Sequence, residues 1–391
     1  MTHYKYLIIG GGMTGDAAVR GIRELDPDGT IGMISSEKDM PYARPPLTKG
    51  MWKGRPFEKV WRGTDRLTVE FHLGRTVTEL DPTARMVRDD QGNEYTADKL
   101  LIATGGTPKK LPFGGDDIIY YRTLQDYMQL RKLSDTRRDF LVIGAGFIGS
   151  EIAAALSMND KHVTMVFLEN SIGQPVYPAD LSEYISQYYR QKGVDLLSGD
   201  SVASMERKGQ RFLIHTKSGK ELEVDGVIAG IGIHPNVKLA KSAGLKVENG
   251  IVVDDRLQTS APDVYAAGDV AQFSFKLLDR SMRVEHEDNA LRMGKQAGRN
   301  MAGADEPYDH APYFYSDLFE LGYEAIGTLS SKLETYADWQ EPFKKGVIYY
   351  LDKGRVRGVL LWNVWEKLGA AEAVIAEPGP FTHEELKGRI Q

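Results

Sequence analysis

The chain has 391 residues, of which 41% are hydrophobic and 27% charged, and a formal net charge of −6. That length predicts two or three domains, the composition is that of an ordered globular protein, and the negative balance gives no reason to expect nucleic acid or an anionic membrane as partner. Cysteine is absent, which excludes disulfides, thiolate metal sites, iron–sulfur ligation by Cys and a redox-active dithiol.

Any electrons this chain moves must therefore be carried by a bound cofactor. No apolar run reaches the length of a membrane span. The first apolar strand begins within a few residues of Met1, so no targeting segment is expected and the cytoplasm is the expected location.

Residues 6–9 form an apolar strand that runs into Gly10, Gly12 and Gly15 at G-x-G-x-x-G spacing, followed by a helix over residues 16–25. In such a turn the first glycine allows the tight bend and the second lets the backbone approach a pyrophosphate. The third lets helix and strand pack closely, and the diphosphate sits on the free N–H groups of the helix start. A second strand, 30–34, leads to Glu37, twenty-two residues past Gly15, where an acid accepts from a ribose hydroxyl. Three prolines at 41, 45 and 46 then predict a stiff, extended segment presenting Arg44 and Lys49. Taken alone, these two read as solvated cations on a loop.

Residues 70–96 predict short antiparallel strands. The apolar strand 99–103 ends in Thr104, Gly105 and Gly106, which suits either close backbone approach to a ligand or a simple turn. A polar helix is expected over 124–134.

Residues 140–143 then repeat the opening pattern. The strand is followed by Gly144, Gly146 and Gly149, and a helix opens at Glu151. Glu169 lies twenty residues past Gly149, at the end of the strand 162–168. One such motif is also an ordinary strand-to-helix turn. Two, each with strand, glycines, helix and spaced acid in agreement, predict two dinucleotide sites and electron transfer between the dinucleotides.

Onward, a helix is expected over 181–193, strands at 195–197 and 226–229, and an antiparallel pair near 201–215 and 221–224. The unit closes at Gly230 and Gly232. An apolar strand over 264–267 delivers Asp269 directly after a glycine, where it can accept from polyol hydroxyls, cap the next helix, or both. Glu285 and His286 stand in an acidic cluster before a helix near Ala290; no ligand spacing accompanies His286, so no metal is expected. From Pro307 the pattern shifts to period-2 strands at 324–329, 346–351 and 356–362, with a final amphipathic helix over 381–390.

The ordered blocks MPYARPPLTK, FIGSE, YAAGDVA, RVEHEDNA, PYFYSDL, GYEAIG, GVIYYL and GVLLWN resemble the two-dinucleotide flavoprotein reductases of the ferredoxin-reductase-like group, and within it the apoptosis-inducing factors. The resemblance covers essentially the whole chain. It implies an α/β fold with two Rossmann-like dinucleotide-binding domains, in a glutathione-reductase-like arrangement, and a C-terminal α+β domain. The FAD domain would be discontinuous, over 1–118 and 248–306, with an NAD(H) domain at 119–247 and the C-terminal domain at 307–391.

It further implies that Gly10, Gly12 and Gly15 hold the FAD diphosphate, Glu37 the adenosine ribose, Arg44 the cofactor, and Asp269 the ribityl chain. Thr104 and Gly105 would also lie on the FAD side. Lys49 would lie near flavin N5, paired with Glu151, and Phe147 would shield the face where nicotinamide enters. Glu285 and His286 would face it across the pocket. Gly144, Gly146, Gly149, Glu169 and Gly232 would serve NAD(H), with Glu169 favouring NADH over NADPH. Tyr315 stands where these relatives carry Trp, which leaves a smaller ring for stacking.

The expected activity is an FAD-dependent NADH oxidoreductase. Three acceptor readings stay open at this point: a ferredoxin-type protein, a quinone or other small acceptor such as oxygen, and a slow NADH-responsive interaction protein that forms a homodimer.

Overall fold

In the computed structural model, residues 1–390 are described; Gln391, the last residue of the expected 307–391 domain, lies outside them. The chain gathers into two compact units.

The first unit comprises 1–44, 56–107 and 234–312. Its sheet runs in the order Glu70–Leu73, Ile31–Ser35, Thr2–Ile9, Glu94–Ile102, Met86–Asp89 and Val77–Asp81, with Val264–Ala266 also paired to Glu94–Ile102. Strand Thr2–Ile9 is parallel to both neighbours, with Ile9 opposite Ile34 and Ile102. Val264–Ala266 is parallel as well, setting Ala266 beside Ile102. The carboxyl ends of these strands therefore share one edge, where ligands of open α/β sheets bind. Helices Met13–Leu25 and Glu287–Met301 cross closely, because a Cβ on Gly21 or Gly298 would lie 2.1 Å from the other helix's backbone oxygen.

Two expectations change here. The residues 70–73 pair parallel to Ile31–Ser35 rather than antiparallel, so only the strands from Val77 to Ile102 form the antiparallel ribbon. The stiff extended stretch ends at Arg44; Pro45–Leu47 is a 3₁₀ turn, since proline's fixed φ suits the first position of a helical turn as well as an extended chain.

The second unit comprises 45–55, 108–233 and 313–391. Its parallel sheet runs Val194–Ser198, His162–Phe167, Asp139–Ile143, Gly226–Ala229, Ile118–Tyr120. An antiparallel meander, Val202–Lys208, Arg211–Thr216 and Glu221–Val224, lies in the same chain segment. Helix Phe147–Met158 starts four residues before Glu151, directly at the glycine turn.

The C-terminal part is a five-stranded antiparallel sheet in the order Tyr313–Leu318, Leu321–Gly327, Arg355–Trp362, Lys345–Asp352, Glu334–Glu341. Residues 346–351 are all buried rather than alternating, and helix Leu368–Ala376, absent from the sequence reading, packs on Arg355–Trp362. The expected helix over 381–390 is only His383–Leu386. A Thr382–Glu385 capping box starts it, and Gly388, at φ +67°, turns the chain away with its N–H donated to Asp338.

The fold is thus α/β with two Rossmann-like sheets and a C-terminal antiparallel domain. No helix among the described residues is long and apolar enough to cross a membrane.

Candidate active site

In the first unit, Gly10 takes φ +124° and packs its Cα against Ala103; a Cβ there would lie 2.1 Å from the Ala103 oxygen. A Cβ on Gly15 would likewise lie 2.2 Å from the Gly10 oxygen. Gly12 is the N-cap of helix Met13–Leu25 and supplies no side-chain cap. The first-turn N–H groups are thus left for a ligand, and an anion is the partner they favour. Above Gly12 there is room: its built Cβ meets only the Arg44 Nη2, at 4.0 Å. This cradle fits a diphosphate.

Glu37 ends the strand Ile31–Ser35 by two residues, and its carboxylate accepts from Arg44 and from the Tyr42 hydroxyl. Arg44 also lies over the Tyr42 ring, 5.2 Å from its centroid. The guanidinium therefore stands between the strand-end acid and the mouth of the glycine turn.

Gly105 takes φ +63°, and Thr104 is tied to Asn236 in both directions: its hydroxyl donates to the Asn236 oxygen at 3.0 Å, and the Asn236 amide donates to the Thr104 oxygen at 2.8 Å. Gly268, at φ +75°, lets the segment holding Asp269 pass Thr14 at the start of the first helix.

The Asp269 carbonyl accepts from Arg283 at 2.8 Å, and Arg283 pairs with Glu285 at 2.6 Å. Glu285 is exposed, whereas His286 is the half-buried N-cap of helix Glu287–Met301. Burial pulls His286 down to about 4, against the carboxylates of Asp269 and Asp288, which act to raise it. Its imidazole is neutral at neutral pH. Among the described residues, no three His, Asp or Glu converge on a point that could hold a metal ion.

Sequence reasoning missed Asp16 in this unit. It is fully buried and accepts from Arg20, Arg62 and Thr64. Burial acts to raise its pKa, and the three donors outweigh burial to hold it below the usual carboxylate range.

The second unit repeats the cradle. Gly144 (φ +101°) packs on the Gly230 oxygen and Gly149 on the Gly144 oxygen. Gly146 is the uncapped N-cap of helix Phe147–Met158, and a Cβ there meets nothing within 4 Å. A cavity of about 100 Å³ opens beside it, lined among others by Phe147, Ser150, Glu169, Tyr177 and Ser316. Gly232 is not on that lining; it makes a left-handed turn beside Lys109, φ +89°.

Glu151, on the same helix, is 4% exposed. Its Oε2 accepts from the Lys49 Nζ at 2.7 Å and the Thr48 hydroxyl at 2.6 Å, while Oε1 accepts from the Ser316 hydroxyl at 2.6 Å. The Lys49 ammonium also lies 5.2 Å from the centroid of the Tyr315 ring. Phe147 meets Phe314 edge-on at 5.5 Å.

The turn carrying Lys49 is pinned through one carbonyl. Leu47 accepts from both the Trp52 indole (2.8 Å) and the Tyr121 hydroxyl (2.5 Å). The site is therefore a fixed cation with its counter-ion beside a cavity whose lining combines the rings of Phe147 and Tyr177 with the carboxylate of Glu169. Thr48 and Ser316 had no signal in the sequence beyond their neighbours Lys49 and Tyr315.

Residues 4–294 match the pyridine nucleotide-disulphide oxidoreductase family. Residues 297–342 and 336–377 match the mitochondrion-associated C-terminal domain of apoptosis-inducing factor. The chain is 34% identical to apoptosis-inducing factor 1, mitochondrial, of Dictyostelium discoideum, covering 95% of this chain and 78% of that protein. It is 31% identical to putidaredoxin reductase of Pseudomonas putida, over 82% of this chain and 79% of the relative. Among solved structures, the covalent putidaredoxin reductase–putidaredoxin complex aligns with a TM-score of 0.89 at 30% identity, covering 97% of this chain and 94% of that one.

Proposed function

The chain belongs to the pyridine nucleotide-disulphide oxidoreductase family and is an FAD-dependent NAD(P)H oxidoreductase, and we propose that it takes its electrons from NADH and delivers them to a small ferredoxin-type protein. The family's disulphide chemistry is not open to this chain, which has no cysteine. FAD, when bound, accepts a hydride from nicotinamide and can release electrons singly.

The residues divide the remaining work. In this proposal Gly10, Gly12, Gly15 and Arg44 hold the FAD diphosphate, Glu37 its ribose and Asp269 the ribityl hydroxyls, with Thr104, Gly105, Glu285 and His286 lining the same side. Gly144, Gly146 and Gly149 take the NADH diphosphate, with Gly232 in the turn that closes this domain. Glu169 accepts from the ribose hydroxyls and repels a 2′-phosphate. Phe147 lines the nicotinamide face and keeps water from the reacting atoms.

Lys49 sets its ammonium against negative charge that develops at the flavin, with Tyr315 beneath it, and Glu151 fixes that ammonium in place. Such fixed charge costs no reorganisation during the reaction. The domain division into 1–118 with 248–306, 119–247 and 307–391, and a cytoplasmic location, belong to the same proposal.

The observation that carries the reading is the Lys49–Glu151 contact beside the cavity, with Glu151 held by donors from two chain segments far from its own, Thr48–Lys49 and Ser316. The similarity to putidaredoxin reductase over most of both chains supports the acceptor. The C-terminal match to apoptosis-inducing factor favours a second reading, an NADH-responsive interaction protein that dimerises on reduction.

Steady-state turnover of the FAD-loaded protein with NADH and putidaredoxin tests the choice. The proposal expects ferredoxin reduction faster than that of a soluble quinone, with unchanged molecular mass. Turnover confined to the quinone or oxygen, or dimerisation without turnover, overturns the ferredoxin assignment.

A further inference from the structure

Glu151 carries more donors than a lysine counter-ion requires. Its carboxylate is almost wholly buried, 3% exposed at the side chain, and a buried anion must be hydrogen-bonded at both oxygens to stay charged and still. One cation cannot do this alone: Lys49 reaches only Oε2.

The remaining positions are filled by two hydroxyls. Thr48 shares Oε2 with Lys49, and Ser316, from the strand Tyr313–Leu318 of the C-terminal sheet, donates to Oε1. Both side chains are themselves buried, and each contact is 2.6 Å, within the short range of O–H···O⁻ bonds. The two donors lie 103 and 165 residues from Glu151 in sequence, so the arrangement is made by the fold and not by local chain geometry.

We propose that Ser316 and Thr48 are positioning residues of the reaction: their hydroxyls lock the Glu151 carboxylate, which in turn fixes the Lys49 ammonium. The inference rests on the role assigned above to Lys49. With Ser316 removed, Oε1 loses that donor, the carboxylate is held at Oε2 only by Thr48 and Lys49, and its wider motion about the last bond carries Lys49 with it. Ser316 also lines the cavity, so the lock ties the C-terminal domain to the site where the nicotinamide is to enter. This gives the C-terminal sheet a part in the chemistry beyond covering a surface.

The test is anaerobic stopped-flow reduction of the FAD-loaded protein by NADH in Ser316→Ala, Thr48→Val, Ser316→Thr, Lys49→Met and the Ser316→Ala/Lys49→Met double variant. Each flavin absorption spectrum and melting temperature is recorded alongside. Loss of one charge-assisted hydrogen bond predicts flavin reduction about tenfold slower in Ser316→Ala. The NADH concentration for half-maximal rate should stay within about twofold, since the bound dinucleotide keeps its contacts.

Ser316→Thr should restore the rate. Ser316→Ala should add little further loss once Lys49 is gone, because both act through one group; a purely structural hydroxyl would instead add its full effect in both backgrounds. A wild-type rate in Ser316→Ala, failure of Thr to rescue, or full additivity with Lys49→Met overturns the inference. If Lys49→Met itself reduces at the wild-type rate with an unchanged spectrum, the role of Lys49 fails first, and the two failures are told apart.

Discussion

Replacing Gly146 by alanine separates the glycines that build the second cradle from the glycine that faces its ligand. Gly146 is exposed and has extended backbone angles, φ −80° and ψ −171°, that any residue adopts, and a Cβ meets no protein atom within 4 Å. As a helix N-cap, Ala is worse than Gly by a few tenths to about 1 kcal/mol. The stiffer unfolded chain returns about 0.4–1 kcal/mol. The two nearly cancel, so the folded protein should melt within about 2 °C of the parent.

Gly149→Ala is the contrast. Its Cβ would stand 2.1 Å from the Gly144 oxygen and 2.9 Å from the carbonyl carbon, both backbone atoms that cannot swing aside. Overpacking of this kind costs about 1–3 kcal/mol or more, and several degrees of melting temperature.

With NADH the order should reverse in meaning. The Gly146 methyl occupies the space above the free N–H groups, so NADH should bind roughly ten- to hundredfold more weakly in a protein of normal stability. The assay pairs thermal melts of the FAD-loaded variants with anaerobic flavin reduction across a range of NADH concentrations. An NADH affinity within twofold of the parent in Gly146→Ala, or a melting temperature as low as that of Gly149→Ala, refutes the reasoning.

Three further outcomes are expected. Gly12→Val should purify with little FAD yet keep its helical content by circular dichroism, since the only atom near its Cβ is the mobile end of Arg44. Glu169→Ala should shift the kcat/KM ratio toward NADPH by about tenfold, as removal of one carboxylate relieves repulsion of a 2′-phosphate at a partly exposed position.

His286 sets a pH dependence of stability. With its folded value near 4 and an unfolded value of about 6.5, the unfolded chain binds the proton first as pH falls. The stability that depends on a neutral imidazole is complete above about pH 6.5 and is lost toward pH 4, at most about 3 kcal/mol in all. Urea unfolding of the FAD-free protein should show this slope, and His286→Gln should flatten it.

Both cradles were legible because each depends on local sequence: strand, three glycines, helix start and spaced acid all fall within a few dozen residues. Glu37 and Glu169 stand at strand ends as their spacing predicts. The antiparallel C-terminal strands were also legible, although the burial of residues 346–351 on both faces was not. Helix Leu368–Ala376 escaped because Leu-Gly-Ala-Ala-Glu-Ala-Val-Ile-Ala shows no clear apolar stripe.

The reading of 70–96 as wholly antiparallel failed at Glu70–Leu73, whose partner strand lies far back in the chain. The same reason hid the hydroxyl lock. Nothing near Thr48 or Ser316 signals Glu151, and Lys49 alone reads as a solvated cation. Asp16, in the first turn of a helix, carried no signal of its own in the sequence, because Arg62 and Thr64 reach it only through the fold.

The central claim is that this chain carries electrons from NADH through FAD. Anaerobic titration of the FAD-loaded protein with NADH, and in parallel with NADPH, tests it most directly, with flavin absorbance and molecular mass followed together. The account predicts full bleaching at one NADH per flavin, much slower bleaching by NADPH, and a constant mass. A flavin that NADH leaves oxidised, or that NADPH reduces as readily, contradicts it.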